Sequence, residues 1–237
     1  MEEGRLAVVR HDFTDGTQLA EALAAAVAAR LEAAIATRGV ASLAVSGGRT
    51  PERLFAALSA KPLDWAKVVV TLVDERWVPV DDARSNEALV RAGLLQGPAA
   101  AARFVGLVSE AASPEEGQAE VARRIAALPL PFDAVVLGMG TDGHTASFFP
   151  KGDSLAEALD PRGGAPVLPL RAPGAGEPRI TLTLPLILAA GAVYLHIEGT
   201  DKAAVLAEAL KDGPAEAMPV RAVLRARETP PEVYWCP

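Results

Sequence analysis

Residues 42–58, SLAVSGGRTPERLFAAL, decide the fold. Ser42–Val45 is a short apolar run, Gly47 and Gly48 break it, and Pro51–Leu58 reads as a helix. A buried strand that turns through glycines into a helix is the repeating unit of parallel α/β proteins. Thr50 is placed to cap the helix and Pro51 suits its first turn.

The same rhythm extends outward. Val68–Val73, Ala134–Leu137 and Ala192–Ile197 read as further buried strands, and Asn86–Leu94, Glu115–Leu128 and Lys202–Leu210 as helices between them. Upstream, Leu19, Leu23, Val27, Leu31 and Ile35 recur at helical spacing, with Glu21, Arg30 and Glu32 on other faces. This predicts an α/β chain with a mostly parallel sheet and helices on both faces. Residues 95–103 and 161–178 read as loops from their Gly, Pro and Ala content, and neither resembles a linker, so residues 1–237 are expected to form a single domain.

The 23 Lys and Arg against 30 Asp and Glu give a net charge of −7, which argues against a nucleic-acid partner or a basic membrane surface. It argues less firmly against a phosphate, because anion recognition is local. With 50% apolar residues the chain has ample material for a core. The longest apolar stretch, Leu182–Ile197, contains Pro185 and Gly191 and is shorter than the roughly 20 residues of a membrane helix. One cysteine, Cys236, and no signal-peptide pattern point to the cytoplasm.

In open parallel sheets, ligands bind beyond the carboxyl ends of the strands. After Val45, Ser46-Gly47-Gly48-Arg49-Thr50 is a glycine-rich turn feeding a helix, which suits an anion but is no nucleotide fingerprint; an ordinary tight turn would look the same. After Val73, Asp74-Glu75-Arg76 reads either as an ion pair satisfied within itself or as groups that orient a substrate. After Leu137, GMGTDGHTAS sets Asp142 two residues before His144, a better general base than His11, near the terminus, or His196, which reads as a satisfied core histidine. After Ile197, Lys202 starts a helix, where a cation is misplaced unless it faces an anion. Arg179 has no acidic partner close in sequence. Three scattered histidines and one cysteine offer no metal-ligand spacing. The residues reach a phosphosugar-sized anion site beside an Asp–His pair. They leave isomerase, deaminase and hydrolase open.

SGGRTPERLF (46–55), VDERWVPVDDARSN (73–86), LGMGTDGHTASFFP (137–150), RITLTLP (179–185) and GTDKA (199–203) resemble the 6-phosphogluconolactonases, relatives of glucosamine-6-phosphate deaminase and ribose-5-phosphate isomerase. The resemblance implies a modified Rossmann-type α/β/α sandwich and hydrolysis of 6-phospho-D-glucono-1,5-lactone to 6-phospho-D-gluconate in the oxidative pentose phosphate pathway. No cofactor or metal is implied, and the partner is the small phosphosugar lactone, on a monomer or weak homo-oligomer. Ser46, Gly47, Gly48, Arg49 and Thr50 would cradle the phosphate, and Arg179 and Lys202 would supply countercharge. His144 would be the base, Asp142 its orienting neighbour, and Asp74 and Arg76 would line the sugar end. Deaminases carry a glutamate a few residues after the histidine, where this chain has Ser147-Phe148-Phe149-Pro150. A sugar-phosphate sensor would usually carry a DNA-binding segment, and no helix-turn-helix pattern is left over. Arg49 stands where the family commonly has Ser, and Leu188 where many members have Asn.

Overall fold

A computed structural model of the chain describes residues 8–48, 50–226 and 230–237. Along the first half run β1 (Val9–Asp12), α1 (Gly16–Arg38), β2 (Ala41–Val45), α2 (Glu52–Ser59), β3 (Val68–Leu72), β4 (Asp74–Arg76), α3 (Asn86–Gly93) and β5 (Arg103–Val105). The second half adds α4 (Pro114–Ala126), β6 (Ala134–Leu137), α5 (Leu155–Ala158), β7 (Val167–Leu170) and β8 (Arg179–Leu182). It ends with α6 (Leu184–Leu188), β9 (Val193–Glu198), α7 (Thr200–Ala209), α8 (Val220–Leu224) and β10 (Glu232–Cys236).

Seven strands form a parallel sheet in the order β1-β10-β9-β6-β2-β3-β5. β2, β3 and β6 are buried along their whole length, as continuous apolar runs covered on both faces require. From β2 the chain builds outward through β3 and β5, then returns to the other side of β2 with β6 and continues through β9 and β10. The order therefore reverses between β2 and β6, and a crevice opens there beyond their carboxyl ends.

Helix α1 begins at Asp15, whose carboxylate accepts 2.9 Å bonds from the backbone N–H groups of Thr17 and Gln18, and it ends at Gly39 with φ of 76°. Its buried face, Leu19, Leu23, Val27 and Leu31, enters the main core with Leu43 and Val70 of the sheet. Truncating such a leucine to alanine would cost about 2–5 kcal/mol.

A second, antiparallel sheet, β4-β8-β7, departs from the expected elements. The run read as Val68–Val73 stops at Leu72, and β4 turns away into this small sheet. Residues 161–178, read as loop, contain β7, whose Pro169 breaks the sequence pattern and is tolerated on an edge strand. The stretch 95–103 holds a 3-10 turn at Gly97–Ala101 and the first residue of β5. β1 and β10 also escaped the sequence reading, being short and near the ends. Thr50 does not cap α2, whose N-cap is Pro51 and carries no side-chain bond. No helix follows His144 directly; turns occupy the chain until α5.

Candidate active site

A cavity of about 330 Å³ sits at the sheet's switch point. Ser46, Gly47, Gly48 and Thr50 line it after β2, Gly138, Met139, Gly140 and His144 after β6, and His196 and Lys202 at the end of β9 and start of α7. Asp74, Arg76 and Arg179 face it from the small sheet, with Asn86, Phe149 and Gly174. Stretches far apart in sequence thus converge on one crevice.

His144 and Asp142 are a coupled pair. His144 Nδ1 lies 2.6 Å from Asp142 Oδ1, and the His144 backbone N–H donates to the same oxygen at 3.1 Å. The bond from His144 holds the Asp142 carboxyl at about 2, well below the ordinary carboxylate range. An ionised carboxylate only accepts, so Nδ1 carries the proton and Nε2 keeps its lone pair. The imidazole stacks on Phe149 with ring centroids 4.2 Å apart. The tight turn needs Gly140, because a Cβ there would strike both the His144 ring and the Asp142 carboxylate. It also commits the Gly140 N–H to the His144 carbonyl and the Gly143 N–H to the Gly140 carbonyl.

The DER stretch is not satisfied within itself. Asp74 is buried, accepts a 2.5 Å bond from Ser147 Oγ, and lies 3.7 Å from Arg179 Nη1. Glu75, also buried, accepts the backbone N–H groups of Arg76, Asn86 and Glu87 at 2.7–2.8 Å and so holds the start of α3. Burial is the main influence on its carboxyl and pushes its pKa up. Arg76 makes no ion pair among the described residues, and its Nη1 donates to the Arg84 carbonyl. Arg179 donates from Nη2 to the Ala175 carbonyl at 2.7 Å, and its guanidinium lies over Phe149. Burial lowers its pKa, partly opposed by Asp74. Ser85 caps α3 by accepting the Ala88 N–H at 3.1 Å.

At the glycine-rich turn, Gly48 adopts φ of 91°, a conformation that favours glycine. Ser46 Oγ accepts the Gly138 N–H at 3.1 Å and ties this turn to the β6 turn. Lys202 stands in the first turn of α7 and makes no ion pair among the described residues. Arg49 lies outside the described residues. Leu188 packs against the core from α6 and does not line the cavity.

Among the described residues, the buried side-chain polar atoms without a partner are Arg76 Nε, Asn86 Oδ1, Arg179 Nε and His196 Nδ1. All four belong to residues that line this one cavity. Unpaired buried groups are costly, and their concentration around one cavity is the mark of a site that a polar ligand completes. A metal is not what the donors suit: among the described residues no three His, Cys, Asp or Glu are grouped to hold one.

Residues 14–235 match the family model described as glucosamine-6-phosphate isomerases/6-phosphogluconolactonase. The chain belongs to the glucosamine-6-phosphate isomerase/6-phosphogluconolactonase family. It is 56% identical to a 6-phosphogluconolactonase of Mesorhizobium japonicum, over 95% of this chain and 94% of that one. Similarity to a 6-phosphogluconolactonase of Rhizobium meliloti is 54% identity over 96% and 98% of the two chains. The crystal structure of a 6-phosphogluconolactonase from Shewanella baltica superposes with a TM-score of 0.96 at 43% identity, covering 99% of this chain and 100% of that one. The α/β fold with its mostly parallel sheet is therefore the fold of this family.

Within that family frame, every expected site residue among the described residues lines the cavity except Asp142, which touches it through His144. Sequence reasoning missed Asn86 as a wall residue, although it ends the VDERWVPVDDARSN stretch, and missed Ser147 as a partner of Asp74. His196 is only half satisfied: Nε2 meets Glu198, whereas Nδ1 has no partner among the described residues. Arg179 has an acidic neighbour after all, Asp74, brought to it across β4 and β8. Cys236 is buried on β10, and that burial pushes its thiol up, so it is no nucleophile for this cavity. Among the described residues no helix is long and apolar enough to cross a membrane.

Proposed function

We propose that this cavity hydrolyses 6-phospho-D-glucono-1,5-lactone to 6-phospho-D-gluconate, with the whole chain acting as one domain. The observation that carries the reading is the Asp142–His144 pair in a cavity walled by unpaired arginine donors. The names of the family members at 54–56% identity support the substrate.

His144 Nε2 takes a proton from a water as its oxygen attacks C1 of the lactone. Asp142 holds the ring in the required tautomer and stabilises the imidazolium that forms. The carbonyl oxygen becomes an oxyanion. The N–H groups of Gly140 and Gly143 are already bonded within their turn, so Arg76 is assigned to meet this charge. When the C1–ring oxygen bond breaks, the imidazolium returns its proton to the departing oxygen, which becomes the C5 hydroxyl. Ser46, Gly47, Gly48 and Thr50 cradle the phosphate, and Arg179 and Lys202 supply its countercharge. Holding the phosphate converts the reaction at the far end of the substrate into an intramolecular one. The substrate is a small diffusible anion, which fits a cytoplasmic enzyme that needs no nucleic acid.

Deaminase chemistry is disfavoured because Ser147, in the stretch where those enzymes carry a glutamate, is committed to Asp74. A coupled assay following freshly generated lactone decides the matter. Accelerated loss of lactone, with no ammonia from glucosamine 6-phosphate, is expected. Binding of 6-phosphogluconate without acceleration would identify a sensor instead.

A further inference from the structure

His196 stands on the floor of the cavity at the end of β9, with only 2% of its surface exposed. The register Leu137↔Leu195 carries one residue further to put Gly138 beside His196, and Val45↔Val136 continues to put Gly47 beside Gly138. The floor is therefore a row of two glycines and one imidazole. A Cβ on Gly138 would meet nothing within 4 Å, so the space next to His196 is open.

The imidazole is oriented from behind. Its Nε2 lies 3.1 Å from Glu198 Oε1, and Glu198 Oε2 is held 3.2 Å from Arg53 Nη1 at the start of α2. A carboxylate fixed by a guanidinium only accepts, so Nε2 carries the proton and Nδ1 presents a lone pair. That lone pair has no partner among the described residues.

We infer that His196 is a substrate-binding residue whose Nδ1 accepts a hydrogen bond from a hydroxyl of the sugar chain. The inference rests on the lactonase reading and adds a recognition element to it. The doubly ionised phosphate ester of the substrate offers only further lone pairs and would repel Nδ1, whereas each sugar hydroxyl brings a donor. The phosphate turn and Lys202 would fix one end of the substrate and His144 the other, with His196 reading the carbon chain between them.

The test compares binding of 6-phosphogluconate and of inorganic phosphate to the unsubstituted protein, His196→Leu and His196→Asn. His196→Leu should weaken 6-phosphogluconate about tenfold, the factor one ordinary hydrogen bond carries, and leave inorganic phosphate unchanged. His196→Asn, which places a carbonyl oxygen near the Nδ1 position, should recover most of the loss. In the unsubstituted protein the His196 Nδ1 nitrogen resonance should move with 6-phosphogluconate and stay still with inorganic phosphate, a readout that stands even if His196→Leu fails to fold. Equal weakening of both ligands, a resonance that moves with phosphate alone, or no effect on either would overturn the assignment. If the unsubstituted protein neither hydrolyses the lactone nor binds 6-phosphogluconate, the lactonase reading itself fails; if it does both and the variants match it, only His196 is misassigned.

Discussion

Asn86 is wedged between Asp74 and Gly47: its Nδ2 donates to the Asp74 carbonyl at 2.9 Å, and its amide fills the space a Gly47 Cβ would need. The start of α3 thereby braces the glycine-rich turn at Ser46–Gly48, the proposed phosphate cradle. Gly47→Ala should expel the Asn86 amide, cost about 1–3 kcal/mol as overpacking does, and raise KM for the lactone more than it lowers kcat. Thermal melts with steady-state kinetics check this. Unchanged values for both would mean that the turn yields freely and that Asn86 braces nothing.

In the proposed reaction His144 takes the proton from water, because its Nδ1 is committed to Asp142 and Nε2 is left to accept. His144→Ala should reduce turnover at least 100-fold, the lower end of general-base contributions, with the fold intact by circular dichroism. Near-normal turnover would remove His144 from the reaction.

Asp142 makes a prediction in pH. Its folded pKa, about 2, lies below the ordinary 3.8, so its carboxylate contributes stability that is fully present above the unfolded value and lost as pH falls through the folded one. The melting-temperature gap between the unsubstituted protein and Asp142→Asn should therefore be constant at neutral pH. It should narrow below about pH 4 as the carboxyl protonates. A gap independent of pH down to about 2 would show that the pair with His144 contributes no such stabilisation.

What could be read from the chain divides by distance along it. Asp142 and His144 are two residues apart and their pairing was visible, as were the glycine-rich turn and the strand-to-helix alternation that positions both. The Ser147–Asp74 bond spans 73 residues and could not be seen, because nothing local tells a serine which carboxylate it will meet. Glu75 was readable only as a charge beside Arg76, yet its oxygens go to backbone N–H groups of α3. β7 was hidden by Pro169, since a proline on an edge strand looks like loop in sequence. His196 looked satisfied because an apolar strand surrounds it. Which ring nitrogen lacks a partner depends on Glu198 and the bare Gly138, and that is a property of the packed sheet.

Arg179 and Lys202 share a proposed task but differ in setting, which lets one comparison test both. Arg179 is buried, and removing it would leave the Asp74 carboxylate buried beside Ser147 with no ion-pair partner among the described residues. Breaking a buried pair in this way costs about 3–5 kcal/mol, so Arg179→Ala should melt markedly earlier. Lys202 makes no ion pair among the described residues and is only half-buried, so Lys202→Ala should shift stability by no more than about 0.5 kcal/mol. Both should weaken 6-phosphogluconate while leaving binding of gluconate almost unchanged, because gluconate lacks the phosphate they would neutralise. Calorimetric titration of each variant with the two ligands measures this. Equal losses for gluconate and 6-phosphogluconate in Lys202→Ala would move the phosphate away from the start of α7. The same result in Arg179→Ala would make that arginine a partner of Asp74 alone.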